Sequence, residues 1–288
     1  MLAEGTRSVV VVGTAKNVGK TVTLNALRRA AAARGLLGAV TSIGRDGEPT
    51  DALDGAAKPH VRLEAGTLVA LPRELVPRSP AFEVLELGEP SALGAIVFAR
   101  VRYAARCEIG GPPTARGVRA TIDRLSELTS GPVFVDGAID RIAPLAGGSD
   151  AIVLATGVAS GATPHAIASI ARETVARLSL PARVCGLERD SVVIVDGALD
   201  ERDAEELIAH AAGATVVVAD PTRVTVRGML FERLRSAVDL RCERALRVVA
   251  CTTSSVGRTH ALDPRTLAGA VAEATGLPTF DVVAGLAA

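Results

Sequence analysis

The sequence predicts an α/β fold in which a doubly wound, mostly parallel sheet carries helices on both faces. Three observations predict it. Short runs of β-branched and aliphatic residues alternate with segments of helical periodicity, the pattern of a parallel sheet covered on both sides. The first of these runs, Ser8-Val9-Val10-Val11-Val12, passes through a glycine-bearing loop directly into a helical segment. Later helical segments open on capping pairs such as Thr163-Pro164 and Asp263-Pro264.

In chain order, residues 8–12 read as a buried strand and 21–34 as a helix closed by Gly35. Residues 37–43 read as a second strand, followed by the polar turn Gly44-Arg45-Asp46-Gly47-Glu48-Pro49. From 44 to 112 prolines and glycines separate short strand-like pieces at 60–63, 67–71, 82–87 and 95–101, which suggests a β-rich insertion over the preceding loop. A helix is expected over 114–128, stopped by Ser130-Gly131-Pro132, then strands over 132–136 and 150–155 and a helix over 164–178. A C-terminal α/β extension, about 181–288, adds strands at 192–195, 215–219 and 246–251 and helices at 204–212, 230–238 and 265–274. No linker interrupts the chain, so 1–288 reads as one domain whose second half either lengthens the sheet or forms its own lobe. The hexapeptides Val135 to Asp140 and Val195 to Asp200 are nearly identical, but their flanks differ, which marks a recurring strand-to-turn solution.

Composition sets limits. Of 288 residues 48% are hydrophobic and 2% aromatic, so the core is built of Val, Leu, Ile and Ala. Thirty-two basic residues balance 32 acidic ones; that balance and the scarcity of stacking rings argue against nucleic acid as partner. Cys107, Cys185, Cys242 and Cys251 are far apart and His60, His165, His210 and His260 are scattered, so neither a disulfide framework nor zinc-ligand spacing is present. There is no signal-peptide pattern and no apolar run of membrane-spanning length. The expectation is a cytoplasmic protein.

The chemistry concentrates in Gly13-Thr14-Ala15-Lys16-Asn17-Val18-Gly19-Lys20-Thr21, which fits G-x-x-x-x-G-K-[ST]. Its glycines let backbone N–H groups turn around an anion, and the strand–loop–helix context puts that anion at a helix N-terminus. Only three of the 32 basic residues are lysines, and two of them stand here. A compact ammonium at Lys20 suits β- and γ-phosphates in a way a guanidinium fork does not, and Thr21 suits Mg²⁺. The expected nucleotide contacts run from Gly13 to Val22. No N-K-x-D occurs, so guanine selection is unsupported and ATP with Mg²⁺ is the expected pair.

A second carboxylate at the end of a neighbouring strand completes such a site. Asp136, closing Val133-Phe134-Val135, is the candidate for metal, with a turn-capping role as the alternative; Asp196 ends a similar strand later in the chain. Asp46 and Glu48 follow the second strand, where a carboxylate holds metal or orients an attacking group, unless the turn is simply solvated. The expected catalytic set is Lys20, Asp46 and Asp136. Lys58 is a candidate phosphate or acidic-substrate contact. Asp140 and Arg141 belong either to a switch loop or to a surface pair, Arg116 and Arg119 read as water-facing, and Cys251 reads as a core thiol.

The loop resembles that of P-loop NTPases similar to dethiobiotin synthetases and cobyrinate amidotransferases, which share G-T-x-x-x-x-G-K-T and phosphorylate a carboxylate. In partitioning and nitrogenase-iron-protein ATPases an extra lysine follows the first glycine; here that position is Thr14, so a dimer-crossing role for Lys16 is not expected. A broader resemblance runs through residues 13–25, Gly44 to Glu48, Lys58-Pro59, Val135 to Arg141, Asp150 to Gly157, Leu262-Asp263-Pro264 and Leu277 to Val282. These segments are similar to the ATP-binding subunit of lysine 5,6-aminomutase reactivases. That resemblance implies an ATPase that works with a second reactivase subunit to restore a B12-dependent aminomutase. It leaves a homodimer open. The alternatives are an enzyme phosphorylating a small carboxylate and a nucleotide-dependent binding module.

Overall fold

The computed structural model describes residues 6–44, 61–91, 93–184, 192–257 and 260–288, and of Asp140 the backbone alone. Its elements are β1 Ser8–Gly13, α1 Lys20–Ala32, β2 Ala39–Ser42, β3 Val61–Leu63, β4 Leu68–Pro72, β5 Phe82–Ser91, β6 Gly94–Val101 and β7 Ala105–Cys107. There follow α2 Ala115–Leu128, β8 Val133–Asp136, β9 Ala151–Gly157, α3 Pro164–Leu178, β10 Val192–Val195, α4 Glu201–His210 and β11 Thr215–Val218. The chain closes with α5 Gly228–Ala237, β12 Asp239–Cys242, β13 Val248–Ser254, α6 Pro264–Thr275, β14 Thr279–Asp281 and β15 Leu286–Ala287.

Ten strands form the main sheet in the order β15-β14-β13-β9-β1-β8-β2-β4-β6-β5. The seven from β14 to β4 run parallel, whereas β15, β6 and β5 pair antiparallel at the two edges. Side chains of β1 alternate between the two faces, as a period of two requires. Val10 and Val12 share a core with α2, α3 and α6, while Val9 and Val11 share one with α1 and the antiparallel β3–β7 ribbon. Both faces of β1 are therefore dry, which explains why its run carries no polar alternation.

Two parts of the chain divide their strands between sheets. The described part of 44–112 is strand-rich, as expected. β4, β6 and β5 lengthen the main sheet beyond β2, giving that strand a partner for its open edge. The C-terminal extension divides. β10, β11 and β12 make a separate parallel sheet packed on α4 and α5, with its own core around Phe231, Leu234 and Val216, and then β13 and β14 return to the main sheet. β7, β12, β14 and β15 were not among the strands expected from the sequence. Among the described residues no helix is long and apolar enough to cross a membrane.

Connections from β1 and β9 leave in opposite directions. β1 leads through α1 to β2 on one side, past β8, and β9 leads through α3 and the small lobe to β13 on the other. In open α/β sheets such a reversal opens a crevice beyond the C-terminal ends of the strands. Here the crevice opens at Gly13 and Gly157.

Candidate functional site

The loop after β1 owes its shape to two left-handed residues. Asn17 (φ 60) is the only non-glycine with positive φ among the described residues, and Gly19 (φ 88) follows two positions later. Asparagine tolerates that conformation better than other side chains, and glycine adopts it freely. Such alternation turns successive backbone N–H groups toward one side. The loop is also tightly folded on itself: a Cβ added to Gly13 would lie 2.7 Å from Val18 Cγ2 and 2.9 Å from Lys20 Cγ. The aliphatic stem of Lys20 thus crosses over Gly13.

Neighbouring strand ends brace the loop. Thr14 N–H donates to the Ala155 carbonyl (3.0 Å), Thr14 Oγ1 donates to Thr156 Oγ1 (3.0 Å), and Ser160 Oγ lies 2.6 Å from Thr14 Oγ1. Ser254, at the end of β13, abuts both Gly19 and Gly157; added Cβ atoms there would meet Ser254 Cβ at 3.0 Å and its carbonyl oxygen at 2.5 Å. Deeper, Thr23 of α1 and Thr252 of β13 share a buried hydrogen bond of 2.8 Å. The start of α1 carries no side-chain cap and no acidic residue in its first turn. Its first N–H groups and the positive end of its dipole are left for an anion.

Asp136 ends the strand beside the one that feeds this loop. It ends β8 in register with Val11 of β1 and Ser42 of β2, and its main-chain oxygen accepts from Ile43 N–H and Ser42 Oγ, each at 3.0 Å. The side chain is different: Oδ1 is buried and has no hydrogen-bond partner. Burial lifts the carboxyl from the ordinary 3.8 to about 6, against the opposing pull of the Lys20 ammonium. An orphaned carboxylate oxygen beside an anion-type loop is the donor a hard cation requires. The chemistry of these side chains fits a hard cation such as Mg²⁺, which Asp136 and the partly exposed Thr21 would hold. Among the described residues no cluster of three or more His, Cys, Asp or Glu forms a cage for a metal ion.

Of the expected loop contacts, Gly13, Thr14, Ala15, Lys16 and Lys20 line one cleft, and Asp136 lies close enough to Lys20 to feel its charge; Val18 is buried in the core and Val22 is exposed. Asp46, Glu48 and Lys58 lie outside the described residues. Asp196 is exposed and ends a strand of the small sheet, away from the main one. Arg119 is not left to water alone: it pairs with buried Asp150 at 2.7 Å and donates to the Pro144 carbonyl at 3.1 Å. Arg116 is exposed. Cys251 is buried, which pushes its thiol up to about 11 and leaves it a core residue.

A cleft of about 890 Å³ extends from the loop between the turn after β8, α3 and the small lobe. Its walls include Lys16, Lys20, Arg141, Arg177, Thr222 and Arg227. Sequence reading missed Arg177, Arg227 and Ser160. The one signal for Arg177 was an arginine set among Thr174, Val175 and Leu178, on the stripe that α3 buries. No family model, curated protein or solved structure matches the chain.

Proposed function

We propose that the chain binds ATP with Mg²⁺ on the Gly13–Thr21 loop and cleaves or transfers its terminal phosphate. The observation that carries this reading is the pairing of an uncapped helix start with the unpartnered, buried Asp136 Oδ1 beside Lys20. Backbone N–H groups of the loop would hold phosphate oxygens, and the Lys20 ammonium would offset charge at the β- and γ-positions. Thr21 and Asp136 would hold the magnesium ion, which when bound supplies the charge that makes the terminal phosphate a better electrophile. Asp46, from the resemblance and the position after β2, is the proposed group near the γ-phosphate. Coupling of turnover to reactivation of an adenosylcobalamin-dependent aminomutase, through a second reactivase subunit, rests on the sequence resemblance.

A second reading has an observation of its own. The cleft that opens from the loop is lined by cations contributed by α3 and the small lobe, which suits a small acidic acceptor and hence phosphorylation of a carboxylate. Calorimetric titration with ATP and Mg²⁺ tests the shared core of both readings. Wild type is expected to bind and Lys20→Ala to lose at least about tenfold in affinity. Equal affinity in the two proteins overturns it. Turnover that rises with a protein partner and needs no small acid favours the reactivase reading over the acid kinase.

A further inference from the structure

Four of the six described α-helices are capped by a side chain: α2 by Thr114, α3 by Thr163, α4 by Asp200 and α6 by Asp263. The two exceptions are α1 and α5, and the same cleft is lined by Lys20, the first residue of α1, and by Arg227, the residue just before α5. α5 starts after Arg227, with no side-chain cap and no acidic residue in its first turn, and Arg227 lines the cleft with Thr222 and Thr225. The first N–H groups of α5 have no partner within their own helix.

Arg177 supplies an independent observation. It enters the cleft from α3 with only 5% of its surface exposed. Nη1 donates to the Val224 carbonyl at 3.1 Å, while Nε is buried without a partner. Among the described residues no carboxylate stands within ion-pair distance of it; Glu173 acts on it only at longer range. Burial and the like charge of Arg227 both make its protonated form harder to hold. Two guanidinium groups set together, one of them buried and short of acceptors, are a costly arrangement unless an anion completes it.

We propose that Arg177, Arg227 and the first turn of α5 form a second anion subsite, which holds the carboxylate or phosphate of a small molecule distinct from the nucleotide. The hydroxyls of Thr222 and Thr225 already donate to Asp220 and to the Leu199 carbonyl. The donors offered to the ligand are therefore the guanidinium groups and the helix N–H groups. Planar forks favour carboxylate and phosphate oxygens taken two at a time. Glu173, on the same wall, keeps this end of the cleft from being uniformly cationic and favours a ligand with a donor next to its acid group. Calling that ligand an acceptor for phosphate rests on the nucleotide reading; the subsite itself does not.

The test titrates the full chain with succinate and, separately, with inorganic phosphate, in the presence of a saturating non-hydrolysable ATP analogue and Mg²⁺. At least one probe is expected to bind saturably. Arg227→Gln, at an exposed position and expected to leave the melting temperature unchanged, is expected to weaken it by about tenfold or more, and Arg177→Lys to do the same. Lys20→Ala, titrated without the analogue, is expected to keep it. The tighter probe then names the group. No saturable binding of either probe overturns the proposal, as does affinity unchanged in Arg227→Gln. Binding abolished by the analogue or by Lys20→Ala also overturns it, because the anion then occupies the loop alone. A wild-type chain that binds no ATP but takes succinate in an Arg227-dependent way removes the nucleotide reading and leaves the subsite standing.

Discussion

Thr14 Oγ1 lies 2.6 Å from Ser160 Oγ, so the loop after β1 is fastened to the segment after β9 by a hydroxyl pair 146 residues apart in sequence. Thr14 donates in turn to Thr156 Oγ1 at 3.0 Å. The residue after the first glycine of the loop is here turned onto its own chain. Thr14→Val keeps the shape and removes both bonds. It is expected to cost about 1–3 kcal/mol in denaturant unfolding and to weaken ATP binding alongside. Unchanged stability in urea melts would show that the bridge holds nothing.

Asp136 gives a pH signature. Its folded-state carboxyl, near 6, holds a proton more tightly than the ordinary value of 3.8 allows in the unfolded chain. The folded state then carries the extra proton between those values, so this residue lowers stability as pH rises through about 4 to 6 and has no further effect above. Asp136→Asn is expected to match wild type below about pH 4. Above about pH 6 it should be the more stable by up to about 3 kcal/mol, while losing Mg²⁺-dependent turnover. Thermal melts across pH 4 to 7.5 measure it; parallel curves for the two proteins would refute the assignment.

Gly13→Ala places a methyl 2.7 Å from Val18 Cγ2 and 2.9 Å from Lys20 Cγ. Both contacts are closer than carbon atoms tolerate, so the loop must shift and Lys20 with it. Nucleotide affinity is expected to fall at least about tenfold, with a loss of stability of only about 1–2 kcal/mol. Calorimetry and melts on one preparation separate the two effects. Retained affinity would mean that the loop geometry is not what binds.

Asp150 belongs to the opposite end of the sheet. Buried there, it accepts from Ser8 Oγ and pairs with Arg119 at 2.7 Å, at the N-terminal ends of β1 and β9. Asp150→Ala leaves the hydroxyl without its acceptor and the guanidinium with the Pro144 carbonyl and the half-exposed Asp123 at 4.0 Å. A loss of about 2–3 kcal/mol is expected in chemical denaturation, with ATP affinity intact, since six residues of strand separate this pair from the loop by about 20 Å. A drop in affinity as large as the drop in stability would tie both ends together.

The sequence by itself determined what is local. The run 8–12, the glycines at 13 and 19 and the helix from Lys20 are contiguous, so their periodicity and turn chemistry can be read without knowing the neighbours. The helix over 164–178 and the strand over 192–195 were legible for the same reason. The two near-identical hexapeptides mark the boundary of that legibility. In one, Asp136 ends a central strand between β1 and β2, with a buried, unpartnered Oδ1; in the other, Asp196 follows an edge strand of the small sheet and is exposed. Only strand order decides which aspartate meets the loop. Tertiary structure also decided that 68–101 lengthens the sheet, that 192–242 forms a lobe, and that Arg177 and Arg227 share a cleft with Lys20. Those residues are separated by 50 to 207 positions, and burial against partners so far away leaves no local pattern to read.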